Sequence, residues 1–129
     1  MIDAGANGSL DILYSVGGNF LETLPEPDRV RKSLETIPFR IHQDIVLSSQ
    51  MLVDPAETVV ILPAATRYEQ PGGGTETSTE RRVYYSPEIP GRRIGEAMPE
   101  WQILLKVAEA AFPDDAPRLA LETAQDIRN

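Results

Sequence analysis

The chain has 129 residues, 41% hydrophobic and 25% charged, with no cysteine and a single histidine. This is an ordinary globular composition of one-domain size, and it excludes disulfides, iron–sulfur clusters and thiolate or histidine-rich metal sites within the chain. A net charge of -8 argues against nucleic acid or an anionic lipid surface as partner, since both need a basic face.

Residues 1–9 are small and glycine-rich and read as a frayed end. A first strand is expected over 10–16, an apolar run broken only by Asp11 and Ser15 and ended by Gly17-Gly18-Asn19. Val30, Leu34 and Ile37 recur at helical spacing, which predicts a helix over 28–36, opened after Pro27 and stopped by Pro38. The apolar run 39–47 gives a second strand, with 39–44 as its core, and 48–50 starts a short helical turn. The β-branched run 58–62 is the third strand. Strand, helix, strand, turn, strand is a parallel βαβ-type series.

Composition then changes. Residues 70–80 hold no apolar side chain and read as a mobile or functional loop. A short strand is expected over 81–86 and an irregular stretch over 87–99. Residues 100–112 form an amphipathic helix with Trp101, Leu104, Leu105, Ala108 and Phe112 on one face, Trp101 in the core. A last helix is expected over 117–127, ending without a cap as though the chain were cut there. No run approaches the roughly 20 apolar residues of a membrane span, and no signal peptide is visible.

Apolar strands that stop at polar or glycine turns place three loops on one rim, where open α/β sheets bind ligands. Gly17-Gly18-Asn19 reads either as a turn that lets a ligand approach the backbone or as a plain strand-to-helix turn. Gln43 and Asp44 read as a hydrogen-bonded strand end or as a guanine contact, an Asp carboxylate being able to accept from two guanine N–H groups. His42 reads as a packed or surface histidine rather than a ligand or catalytic group. Glu69, Glu76 and Glu80 with Arg81 and Arg82 could serve acid–base chemistry, but read better as a solvated loop with surface ion pairs. Glu100 is a first-turn acid favoured by the helix dipole or a ligand contact.

Taken in order, Leu13-Tyr14-Ser15-Val16-Gly17-Gly18-Asn19, His42-Gln43-Asp44-Ile45-Val46-Leu47, Val60-Ile61-Leu62-Pro63-Ala64-Ala65-Thr66-Arg67-Tyr68-Glu69, the 73–82 run and Pro99-Glu100-Trp101-Gln102-Ile103 resemble the molybdopterin oxidoreductases. These include formate dehydrogenase alpha subunits, nitrate reductases and dimethyl sulfoxide reductase. The Thr-Glu-Arg-Arg run and Ser86-Pro87-Glu88-Ile89-Pro90-Gly91 look most like the formate-dehydrogenase-alpha branch. The resemblance implies a Rossmann-like parallel sheet with flanking helices, a fragment of the domain 1–3 fold of formate dehydrogenase and dimethyl sulfoxide reductase. It implies a partial dinucleotide-binding domain over 1–112 and a helical tail over 113–129. The cofactor implied is one molybdopterin guanine dinucleotide, its molybdenum ligated outside this chain. Gly18, Asn19 and Thr23 would lie beside the dinucleotide, Gln43 and Asp44 at its guanosine end, with Ala64 on the rim and Glu100 on the nucleotide. Phe20 stands where the family often has proline, and Ala64 where a serine is also seen. No residue of the chain is expected to be catalytic or to bind metal.

On this reading the parent is a molybdenum-dependent oxidoreductase acting on a small-molecule substrate. The chain is an internal fragment without activity of its own, and its partners are the parent's remaining domains. The location is cytoplasmic by default, with the periplasm left open because some relatives are exported. Two other readings stand beside it: a stand-alone nucleotide-binding or regulatory α/β module without catalysis, and an interaction domain that uses the acidic surface.

Overall fold

The computed structural model describes residues 1–119 and 121–127. The chain divides into two compact units, Met1–Pro63 and Ala64–Asn129.

In the first unit three strands, β1 (Ile12–Val16), β2 (Phe39–Asp44) and β3 (Thr58–Pro63), form a parallel sheet in the order β1-β2-β3. The parallel pairing expected from the alternation of strand and helix is therefore present. Helix α3 (Pro27–Thr36) links β1 to β2. Pro27 opens it in the first turn, where a missing N–H leaves no gap in the ladder. Val30, Leu34 and Ile37 cluster with Leu13 of β1, with Leu21 of the short helix α2 (Phe20–Thr23) and with Val53. Burying such side chains contributes roughly 1.5–3 kcal/mol each. A 3-10 turn at Ser49–Leu52 leads towards β3.

Two expectations for this unit are corrected. Residues 1–9 are not frayed: Ile2–Ala6 is a helix, α1, that lies on α3. Gly5 makes the approach possible, because a Cβ there would stand 2.0 Å from Ser33 Oγ. The apolar run 39–47 yields a strand only to Asp44. Asp44 Oδ1 accepts the N–H of Ile45 at 2.7 Å and turns the chain, while opposite it Pro63 has no N–H to extend the ladder. Ile45, Val46 and Leu47 are exposed as a result.

In the second unit β4 (Gly74–Thr77) and β5 (Val83–Ser86) form an antiparallel hairpin. A strand thus lies inside the stretch read as loop: its alternating Thr75 and Thr77 are β-branched, and an exposed hairpin face needs no apolar residue. Gly73 packs so closely that a Cβ would meet Ser86 O at 2.3 Å. Arg67 pairs with Glu76, and Arg93 with Glu88. Ala65 N–H donates to Met98 O at 2.8 Å.

Helix α4 (Glu100–Ala111) follows. The face expected to be its core face is largely open. Ile103 is the buried residue, Trp101 is half-buried, and Leu104 and Phe112 are exposed. Apolar periodicity finds the stripe of a helix but not the surface that covers it. In place of the helix expected over 117–127, the described residues give a 3-10 turn at Ala116–Leu119 and further turns. The Asp126 carboxylate takes the N–H groups of Glu122 and Thr123, a local arrangement that competes with helix.

Candidate functional site

The carboxyl ends of β1 and β2 carry the candidate rim of the first unit. After Val16 the backbone enters the left-handed region twice, at Gly17 (φ 64) and Gly18 (φ 76). An L side chain is strained there. No heavy atom lies within 4 Å of the place where a Cβ would stand on either glycine, so the turn presents bare backbone. Gly17 N–H donates to Gln43 O at 2.8 Å and ties the turn to the end of β2.

Gln43 is fully buried, and its Oε1 accepts the Tyr14 hydroxyl at 2.6 Å. Burial pushes the Tyr14 hydroxyl pKa up, which keeps it a donor. Gln43 therefore meets the rim through its carbonyl, with its side chain enclosed. Asp44 lies one residue further and is half-buried. Both of its bonds, to Ile45 N–H and Val46 N–H, fall on Oδ1. Its Oδ2 makes no hydrogen bond among the described residues.

Asn19 caps the start of α2 and Thr23 is its last residue. Asn19 Nδ2 donates to Ser49 Oγ at 3.0 Å, and the Thr23 hydroxyl donates to Asn19 O at 2.8 Å. Gly18, Asn19 and Thr23 are thus neighbours across one turn, with Gln43 and Asp44 on the adjacent strand. Ala64 and Glu100 lie in the second unit, Ala64 buried beside a bridge to Met98 and Glu100 exposed at the start of α4.

His42 sits fully buried on β2, and neither ring nitrogen has a hydrogen-bond partner. Burial first, then the Arg40 guanidinium, hold its pKa below the ordinary imidazole value, against a smaller pull from Asp44. It is a packed neutral histidine.

Three residues of this region escape a reading of the sequence. Gln50 is fully buried and reaches Gly18 and Phe20. Arg40 is fully buried and donates to Gln50 O at 3.2 Å and to Val53 O. Ser49 Oγ donates to Glu22 at 2.8 Å while accepting from Asn19. Arg40 did carry a signal: a cation in the central strand of a sheet must find acceptors inside. Gln50 carried none, since a four-residue turn has no periodicity.

Among the described residues no three His, Cys, Asp or Glu side chains gather to hold a metal ion, and no helix is long and apolar enough to cross a membrane.

Loops gathered at the carboxyl ends of a parallel sheet define a mixed α/β protein with the layout that such sheets use for ligands. No family model matches the chain. Individual relatives do. It is 36% identical over 105 residues to the nitrate reductase of Synechocystis sp., covering 78% of this chain and 13% of that protein. It is 36% identical over 110 residues to the F420-dependent formate dehydrogenase subunit alpha of Methanocaldococcus jannaschii, covering 84% and 15%. With the F420-dependent formate dehydrogenase 2 subunit alpha of Methanococcus maripaludis the identity is 32% over 126 residues, covering 95% and 17%. The chain belongs to the family of the nitrate reductases and formate dehydrogenase alpha subunits, the molybdopterin oxidoreductases, and matches a short part of each relative.

Proposed function

We propose that the chain is part of a molybdopterin-dependent oxidoreductase of the formate dehydrogenase type, and that its first unit is a Rossmann-like module holding one molybdopterin guanine dinucleotide. The observation that carries this is the bare double-glycine turn, left-handed at Gly17 and Gly18, tied at Gly17 to Gln43 O. Backbone without a Cβ admits a ligand to hydrogen-bonding distance. Asp44, at the end of the next strand, keeps one carboxylate oxygen for a donor pair such as guanine N1–H and N2–H. Asn19 and Thr23 flank the turn, and Gln43 supports it from beneath. The roles proposed for Ala64 and Glu100 rest on the resemblance alone.

When bound, the cofactor supplies redox chemistry at a molybdenum whose ligands lie outside this chain. This chain's residues supply position. Turnover of a small-molecule substrate belongs to the parent with its other domains, and the isolated chain is expected to reduce no dye with formate.

Titration of GMP into the chain and into Asp44→Ala, by calorimetry, tests the reading. A charge-assisted hydrogen bond contributes roughly 1.5–3 kcal/mol, so the variant should bind at least about tenfold more weakly. Equal affinity removes Asp44 from the guanine site.

A further inference from the structure

We infer that Gln50 is the positioning residue that sets the shape of the glycine turn and so presents Asn19, an inference that rests on the nucleotide reading for its consequence but not for its geometry. The Gln50 carboxamide is fully buried. Its Nε2 donates to Gly18 O at 2.9 Å and its Oε1 accepts Phe20 N–H at 2.7 Å. One side chain therefore holds the residues before and after Asn19, as a neighbouring peptide group would. The next residue back in the same 3-10 turn, Ser49, takes the Asn19 side chain at 3.0 Å. Two consecutive side chains thus grip three consecutive residues of the turn. Beneath them, Arg40 holds the Gln50 and Val53 carbonyls and fixes the 3-10 turn to β2.

The chemistry demands glutamine. Gly18 O needs a donor and Phe20 N–H needs an acceptor, and a carboxamide carries one of each at a fixed spacing. An ionised carboxylate carries acceptors only and would repel Gly18 O. A protonated carboxyl again has one donor and one acceptor. Gln50→Glu is therefore a version of this residue that pH can switch. Arg40 of β2, bonded to the Gln50 backbone carbonyl, favours the ionised form, and Glu22 of α2, bonded to the neighbouring Ser49, opposes it.

The test is to follow the backbone amides of Gly17, Gly18, Asn19 and Phe20 by NMR in the wild type and in Gln50→Glu, between about pH 7.5 and pH 5, with GMP affinity measured alongside. The wild type, taken through the same pH series, serves as the control at each pH. In the variant the turn amides should be displaced at the upper pH and return to wild-type positions at the lower one. GMP affinity should fall roughly tenfold or more at the upper pH and recover at the lower. Gln50→Met, which fills the space with neither bond, should keep the displaced turn at every pH. Turn amides in Gln50→Glu that match wild type throughout overturn the inference, as does a displacement that pH does not reverse. A displaced turn with undiminished GMP affinity also overturns it. A wild type that binds no GMP overturns the nucleotide reading alone, and the amide pattern then decides for Gln50.

Discussion

Replacing Arg40 by Met removes the one cation enclosed in the first unit's core without a carboxylate bonded to it. Arg40 is fully buried, and its guanidinium spans the carbonyls of Gln50 and Val53. Methionine fills much of the space and orphans both carbonyls, at about 1–3 kcal/mol each. Part of that is returned, because enclosing a charge is itself unfavourable by several kcal/mol and methionine has none to enclose. The direction of the arginine's own pKa reflects this: burial pulls it down, against a smaller lift from Glu35. The net expectation is a loss of about 1–3 kcal/mol, concentrated at the Ser49–Leu52 turn. In a domain of this size that lowers the melting temperature by roughly 3–5 °C per kcal/mol. Urea unfolding gives the global loss, and hydrogen exchange gives its location. Amides 49–53 should lose protection first, and Arg40→Lys, which has no fork to span two carbonyls, should fall between the two. Wild-type protection at 49–53 in Arg40→Met would show that the guanidinium does not hold the turn.

Gly18→Ala should cost about 1–2 kcal/mol from its left-handed φ of 76 alone, since its Cβ meets nothing, whereas Gly73→Ala, whose Cβ would strike Ser86 O, should cost more in the same thermal melts. Gly5→Ala should release α1 from α3 despite alanine's better helix propensity, and Ser33→Gly should restore the docking; N-terminal amide exchange reads both, and no loss in Gly5→Ala would refute the contact. His42 predicts a pH dependence. Its folded pKa lies below 6.5, so the unfolded chain binds the proton first, and stability falls as pH drops below about 6.5 until the folded pKa is passed. His42→Phe should flatten the urea midpoint between about pH 7 and pH 5, and an unchanged slope would assign the effect to other groups.

The three strands and α3 were legible because their apolar runs and helical spacing describe what each element buries. The rim was legible only in outline. Gly17-Gly18-Asn19 and Asp44 announce a turn and a strand end, but the sequence does not say that Gln43 points inward while Gln50 holds the turn, since the first is a polar residue at a strand end and the second lies in a short turn with no periodicity to orient it. That difference is set by the register of β2 against β1 and by the 3-10 turn, which are tertiary facts. Helix α1 was missed for the same reason: five residues with a glycine have no helical tendency of their own, and packing on α3 stabilises them. On α4 the spacing identified the apolar stripe and could not say whether anything covers Leu104 and Phe112.

The strand order of the first unit has a consequence for how the chain is made. Each strand pairs with the one before it in sequence, and β2, made second, is the central one. As the ribosome extends the chain, β1 and β2 can join once Asp44 has emerged. The far edge of β2 then has no neighbour until β3 follows, roughly one to four seconds later at ordinary elongation rates. During that interval the interior strand of the finished sheet is an open edge, a template for any other strand that reaches it. Slow translation across the Ser49–Leu52 turn would lengthen the exposure, and fast translation would shorten it.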